Sequence, residues 1–249
     1  MDLFRQRRMR VTWFVTGEVA AWYPDVIEAL VADGHELAYH THLHPPRLTP
    51  DILTRELRSS ETLLRRFRPR GFRAPAIFLP RACYTILREA GFSYSSSTYG
   101  LMASLTRIDG VTEIPVSTHP YWNRSCAPIT VPRTLTLSLL CRELPYGSGM
   151  LLAVAGARGI AWCIRHGEAR GERSNLFVHN WQLFAATPEQ RSFRRRVLLK
   201  QPAIWPYFQP TLPHLMSLLD AFTFGRLSDA VPTNPQEFRD ESASAPHNH

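Results

Sequence analysis

Short apolar runs alternate with amphipathic stretches along most of this chain. Residues 11–16 are β-branched or aromatic and end at Gly17, which predicts a buried strand. Residues 24–34 place apolar side chains at helical spacing between a proline and a glycine, and residues 36–39 predict a second short strand. The order strand, helix, strand favours parallel strands with helices outside them.

The same alternation continues to about residue 227. Further helices are predicted over 49–67, 80–90, 151–166 and around 215–222, and further strands at 71–75, 92–95, 112–116, 175–178 and 224–227. The predicted fold is therefore of the α/β class, as a barrel or an open sheet, in one domain spanning 1–232. Residues 233–249 are polar and poor in apolar side chains, which predicts a disordered tail.

Composition excludes several classes of protein. With 44% hydrophobic and 20% charged residues among 249, the chain is typical of a globular protein. No apolar run approaches the ~20 residues that span a bilayer, and residues 1–10 lack the apolar core of a signal peptide. The net charge of +8 is concentrated in basic clusters on predicted helices, without interleaved aromatic residues, so we expect no nucleic-acid binding. The scattered cysteines predict buried free thiols: Cys83, Cys126, Cys141 and Cys163.

The richest candidate chemistry lies in residues 34–45, where three histidines occupy alternate positions after a predicted strand. His40 and His44 can point the same way if the backbone makes one helical turn between them. Neutral imidazole is the commonest zinc ligand, so this pair predicts a two-point metal clamp. The alternative is a histidine-rich loop that is merely polar surface.

Three reactive residue types follow predicted strands directly: His40, Arg73 and His179. In α/β folds, functional residues gather at the carboxyl ends of the strands. We therefore expect these side chains to share one rim of the fold, which strengthens the metal interpretation.

Five motifs in order resemble the polysaccharide deacetylases, the NodB-homology group of carbohydrate esterases, over roughly residues 2–227. They are the strand at 12–17 (TWFVTG), the histidine run at 34–45 (GHELAYHTHLHP), the GFRAP segment at 71–75, the segment at 90–97 (AGFSYSSS) and the strand end at 176–179 (LFVH). The resemblance implies an irregular (β/α) barrel.

The resemblance also assigns roles to individual residues. It implies that His40 and His44 bind a divalent metal, with zinc expected, that Arg73 orients a catalytic carboxylate, and that His179 protonates the leaving group. The implied reaction removes N-acetyl or related acyl groups from an amino-sugar polysaccharide. Such a reaction needs an activated water, a base and an acid that protonates the departing amine.

The chain departs from the family pattern at two points. The family's first motif is a strand ending in paired aspartates, which supply the base and a third metal ligand, and no counterpart precedes residue 11. Three explanations stay open: a misplaced start or a fragment, a paralogue that no longer catalyses, or replacement by carboxylates elsewhere, such as Glu36 or Asp109. The second departure is Ser95, where relatives often carry aspartate; its hydroxyl can keep a hydrogen bond near Arg73 but not a charge.

Other functions fit the same residues. A non-catalytic glycan-binding or polysaccharide-assembly protein on this scaffold is the main alternative, and a purely structural metal site is a third. Arg73 could be an ion-pair partner, His179 a core histidine and His44 a loop cap. Trp181, Tyr121 and Trp122 could stack on sugars or simply pack. We expect a cytoplasmic protein if the chain is complete, and a cell-envelope or secreted one if an N-terminal segment is missing.

Overall fold

The computed structural model describes residues 2–122 and 131–231. The helices are α1 (Asp2–Gln6), α2 (Gly17–Trp22), α3 (Pro24–Ala32), α4 (Pro50–Ser59), α5 (Glu61–Phe67), α6 (Cys83–Glu89), α7 (Leu137–Leu140), α8 (Gly149–Glu168), α9 (Pro188–Lys200) and α10 (Leu212–Ala221). The strands are β1 (Thr12–Val15), β2 (Glu36–Tyr39), β3 (Gly71–Phe72), β4 (Tyr94–Ser95), β5 (Tyr99–Gly100), β6 (Thr106–Ile108), β7 (Val111–Glu113), β8 (Val116–Ser117), β9 (His119–Pro120) and β10 (Glu143–Leu144).

The main sheet has the order β1-β2-β3-β4-β7-β6. The first five strands in this order run parallel, and only β6 pairs antiparallel with β7. Within the described residues β1 pairs with β2 alone and so forms the edge of the sheet. The predicted α/β class is confirmed, and parallel pairing brings the carboxyl ends of β1, β2 and β3 to one rim.

The core is built where strands and helices alternate. Tyr39, Phe72 and Phe92 pack with ring centroids 5.8–6.0 Å apart beneath helices α3 to α6. A second apolar cluster joins α8 to α10. Both clusters bury the apolar faces that the sequence pattern predicts for these helices.

The segment at 175–178 differs from the predicted strand. It makes one isolated parallel bridge, between Ser148 and Phe177, while the side-chain amide of Asn175 donates to the Ser96 hydroxyl and the Pro115 carbonyl. Side-chain hydrogen bonds thus replace part of a strand ladder, which keeps the segment at the sheet without regular pairing.

The predicted strand at 224–227 is wrong. The chain here reaches a 3₁₀ turn at Leu227–Ala230, and the Leu227 N–H donates to the Thr12 hydroxyl at 2.7 Å. The predicted helix over 49–67 is divided at Ser60 into α4 and α5, and α2 is an additional helix before α3.

The structure describes three of the four cysteines but not the predicted tail. Cys83 and Cys163 are buried free thiols as predicted, whereas Cys141 is exposed. Cys126 and the predicted tail at 233–249 lie outside the described residues. Over the described ranges, none of the helices combines the length and the apolar character needed to cross a bilayer.

Candidate metal-binding site

The loop after β2 brings His40 and His44 together, with ring centroids 4.8 Å apart. It does so without the helical turn that the sequence suggested. Thr41 and His44 adopt positive φ angles of 65° and 56°, and the His44 N–H donates to the Thr41 hydroxyl. Left-handed non-glycine residues are uncommon and cluster at functional sites, because the surrounding structure must hold them there.

Glu56 of α4 holds this loop through two hydrogen bonds. Its buried carboxylate accepts hydrogen bonds from the backbone N–H groups of His42 and Leu43, at 2.7 and 2.8 Å. Charge-assisted bonds of this kind are stronger than neutral ones. Glu56 is a polar residue within the apolar stripe of its helix, and that interruption was the available sequence signal for its role.

Gly17 lets β1 approach the same loop. Its N–H donates to the Thr41 carbonyl at 2.9 Å, and a Cβ at this position would lie 2.0 Å from the Ser60 hydroxyl and 2.5 Å from His42 Nδ1. A side chain fits there only if the Ser60 and His42 side chains move, so the glycine that ends the first predicted strand favours this close packing.

The two imidazoles are suited to share an ion. His40 Nδ1 lies 2.7 Å from the Arg73 carbonyl oxygen, so this nitrogen donates and leaves Nε2 as the acceptor. Burial lowers the pKa of His40 to about 3, which keeps the ring neutral at pH 7. Two imidazoles that bind one ion at about 2.0–2.1 Å place their centroids about 5 Å apart. The observed 4.8 Å fits a shared divalent ion.

Among the residues that the structure describes, no third ligand of the His, Cys, Asp or Glu type joins this pair. Within residues 2–122 and 131–231, no group of three or more His, Cys, Asp and Glu side chains is arranged to hold a metal ion. Glu36 lies at the opposite end of β2 from His40, where it accepts from Thr12 and Tyr94. Asp109 lies in the turn between β6 and β7 and accepts from Thr85. The proposed replacement of the missing carboxylates by these two residues is therefore wrong.

Arg73 follows β3 and is buried against neutral partners. Its Nε donates to the Ser96 carbonyl at 2.9 Å and its Nη2 donates to the Ser96 hydroxyl at 2.7 Å. The guanidinium carbon lies 4.2 Å from the ring centroid of Phe14 and 5.1 Å from that of Phe177. Burial lowers the pKa of Arg73 to about 10, so it keeps its charge at neutral pH.

The buried carboxylate that acts electrostatically on Arg73 is Glu113 of β7. It accepts from the Tyr84 hydroxyl at 2.9 Å and from the Ser97 N–H at 2.6 Å. Burial raises the pKa of Glu113 to about 7, against the lowering effects of its hydrogen bonds and of Arg73. Sequence reasoning missed this residue, although a charged residue inside an apolar strand run was a usable signal.

His179 follows the irregular segment at 175–178 and lies in an aromatic setting. Its ring stacks on Trp181 with centroids 4.1 Å apart and packs edge-on against Tyr207 at 5.6 Å. Nδ1 lies 3.3 Å from the Gln182 side-chain oxygen. Burial lowers the pKa of His179 to about 4, and the positive charge of Arg73 contributes to that shift. The imidazole is therefore neutral at pH 7.

The structure brings the four sequence-predicted residues to one rim. His44, Arg73 and His179 all lie close enough to His40 for their charges to lower its pKa. Arg73 donates to Ser96 and not to the Ser95 that the sequence placed beside it, whereas the Ser95 hydroxyl donates to Ser97. The geometry brings together the two imidazoles of His40 and His44, one buried cation and one aromatic-stacked imidazole.

Residues 1–95 match the sequence profile of the polysaccharide deacetylase family. The similarity to this family covers the first 95 of the 249 residues. His40, His44 and Arg73 lie inside the matched segment, and His179 lies beyond it. The family's resemblance motifs and the site geometry therefore coincide over the first part of the chain.

Two curated members of this family show the extent of the similarity. The chain is 36% identical over 81 residues to a chitooligosaccharide deacetylase of Bradyrhizobium sp. (strain ANU 289), which covers 30% of this chain and 37% of that protein. It is 32% identical over 102 residues to a chitin deacetylase of Colletotrichum lindemuthianum, covering 37% and 41%. The aligned segments thus span about two fifths of these relatives.

Among solved structures, PuuE allantoinase covers 92% of this chain and 68% of its own, with a TM-score of 0.53 and 17% sequence identity. This likeness concerns the fold. It extends over nearly the whole chain and supports the irregular (β/α) barrel class beyond the segment that matches the family.

Proposed function

We propose that this chain is a metal-dependent hydrolase of the polysaccharide deacetylase type, which removes N-acetyl or related acyl groups from an amino-sugar polysaccharide. The observation that carries the proposal is the His40–His44 pair, whose 4.8 Å separation suits a shared divalent ion. The pair lies within the segment that matches the family. The similarity to chitin and chitooligosaccharide deacetylases supports an amino-sugar glycan as substrate.

His40 and His44 would hold the ion, with zinc the expected metal, through neutral imidazoles. The ion would supply Lewis-acid activation of water and of the acyl carbonyl. The Arg73 carbonyl fixes the His40 ring by accepting from Nδ1, while the Arg73 guanidinium places a buried positive charge at the same rim. That positive charge would stabilise the negative charge that develops on the acyl oxygen.

His179 is proposed as the proton donor to the departing amine. Gln182 engages its Nδ1, which leaves Nε2 for proton transfer. Because burial lowers the pKa of His179 to about 4, the ring starts neutral, so it would take a proton released by the attacking water and pass it to the departing amine. Trp181 lies against the ring and offers an exposed face on which a sugar could stack.

A second candidate is a non-catalytic glycan-binding or polysaccharide-assembly protein on the same scaffold. One observation favours it: in the described part of the chain, the histidine pair is not joined by a third ligand of the His, Cys, Asp or Glu type. Hydrolysis needs a carboxylate or an equivalent base, whereas glycan binding does not.

An acetate-release assay on chitooligosaccharide distinguishes the two candidates. The chain and a version extended by the reading frame upstream of Met1 are each assayed with zinc and with a chelator. Zinc-dependent release by either version, lost in His44→Ala and kept in His42→Ala, supports the hydrolase. Glycan binding that is unaffected by chelator, with no acetate release from either version, supports the binding protein and rejects the hydrolase.

A further inference from the structure

A second pair of histidines lies close together at the carboxyl-terminal end of α8. His119 of β9 and His166 in the last turn of α8 have ring centroids 4.9 Å apart, with an interplanar angle of 53°. Trp162, one helical turn before His166, stacks on it at 5.3 Å and 16°, which orients the imidazole. Gly149, the first residue of this helix, accepts a hydrogen bond from Gln182 beside His179. His166 lies near the opposite end of α8, beyond the kink at Gly156.

His119 has a polar atom that nothing satisfies. Its Nε2 is buried without a hydrogen-bond partner, a condition that it shares among the described side chains only with Trp13 Nε1. The imidazole also makes a hydrogen bond with the backbone of Pro120. A ring nitrogen engaged with the backbone, while the other faces neighbouring side chains without a partner, is the arrangement that metal-binding histidines usually show.

Burial and neighbouring charges favour the neutral form of His119, which is the form that binds a metal ion. Burial lowers the pKa of His119, and the neighbouring His166 and Arg170 lower it further. Glu172 acts in the opposite direction, and its carboxylate forms an ion pair with Arg170 at 2.9 Å. A neutral His119 can bind a metal ion without first releasing a proton.

We propose that His119 and His166 form a second binding site for a divalent transition-metal ion such as zinc or copper. The centroid separation of 4.9 Å agrees with the spacing of about 5 Å expected for two imidazoles on one ion. Water completes the coordination, since no group of three protein ligands of the searched types exists in the described residues. The ion would link β9 to the end of α8, and the inference does not depend on the proposed hydrolase activity.

Zinc titration by calorimetry tests the site in the full chain. The background carries His44→Ala, His247→Ala and His249→Ala, which removes a member of the first pair and the histidines of the carboxyl-terminal segment. In this background we expect one zinc ion to bind per chain. Adding His166→Ala should lower the affinity for zinc at least tenfold. Because His166 is exposed, that variant should fold. His119→Gln should show the same loss, and His214→Ala, on the adjacent α10, should show none.

Copper provides an independent readout. The electron paramagnetic resonance spectrum of bound Cu²⁺ should show nitrogen hyperfine coupling in the background variant. This coupling should be lost when His166→Ala is added. A background without zinc binding, or zinc binding unchanged by both His119→Gln and His166→Ala, would overturn the proposal. Either result leaves the acetate-release assay untouched, so the two ideas can fail separately.

Discussion

The Nδ1 atom of His40 lies 2.7 Å from the carbonyl oxygen of Arg73, and this contact links two of the family's motifs across neighbouring strands. The backbone at the end of β3 thereby sets the tautomer and the direction of a ring at the end of β2. Loss of the hydrogen-bond partner of a metal-binding histidine commonly lowers metal affinity by 10- to 100-fold. The position of Arg73 in the chain matters as much as its side chain does.

Removing His44 should weaken zinc binding at this rim. In a chain carrying His166→Ala, so that the second pair does not contribute, His44→Ala should weaken zinc binding by more than roughly tenfold, since a direct ligand is lost. His42→Ala is the matched control, because His42 lies in the same loop but faces the Ser60 hydroxyl. Equal zinc affinity of these two variants in calorimetry would exclude the His40–His44 pair as the site.

Glu56→Gln should loosen the histidine loop. Both backbone N–H groups donate to one oxygen, Oε2, which a glutamine oxygen can replace only without the negative charge. Because bonds to a charged acceptor are stronger, the free energy of unfolding should fall by about 1–3 kcal/mol. Zinc affinity should fall with it, because the loop then spends less time in its binding conformation. Urea unfolding with and without zinc measures both effects.

The control for that change is Glu61→Gln, whose exposed ion pair with Arg65 should contribute under about 1 kcal/mol. If Glu56→Gln were as stable as this control, the carboxylate would not be what holds the loop.

Glu113 predicts a pH-dependent stability. Its pKa in the folded protein is about 7, above the ordinary value of 4.5, so the folded state binds the proton more tightly than the unfolded state. Its contribution is fully present below pH 4.5 and is lost as the pH rises through 7. The stability of the wild type relative to Glu113→Gln should therefore fall by on the order of 3 kcal/mol between pH 4.5 and pH 8.

Chemical unfolding of both proteins across this range measures that difference, and other titrating groups cancel because both chains share them. Glu89→Gln, at an exposed position, should show no such trend. A difference between wild type and Glu113→Gln that stays constant with pH would contradict the raised pKa.

Gly17→Ala should disturb the loop from the β1 side. The added Cβ would lie 2.0 Å from the Ser60 hydroxyl, so side chains must move, and we expect a loss of about 1–3 kcal/mol in unfolding free energy. Val19→Ala, at a partly exposed position of the same helix, should change it by about 0.5 kcal/mol or less. Thermal unfolding of the two variants makes the comparison, and equal melting temperatures would show that the loop yields without cost.

Sequence alone determined the class of fold and the identity of the rim residues. Strand-like runs at 11–16 and 36–39 and helical spacing after Pro24 and Thr49 are local patterns, and local burial preferences suffice to detect them. His40, Arg73 and His179 each follow an apolar run, so parallel pairing alone predicts that they share an edge.

Only the tertiary structure decided how the site is held. The left-handed turn at Thr41 and His44, the Glu56 carboxylate beneath it, and Glu113 near Arg73 depend on contacts between residues far apart in the chain. The segment at 175–178 lost its predicted strand pairing because the Asn175 side chain found hydrogen-bond partners on neighbouring segments. Such long-range polar contacts leave no periodic trace in the sequence, because their energy depends on which groups folding brings together.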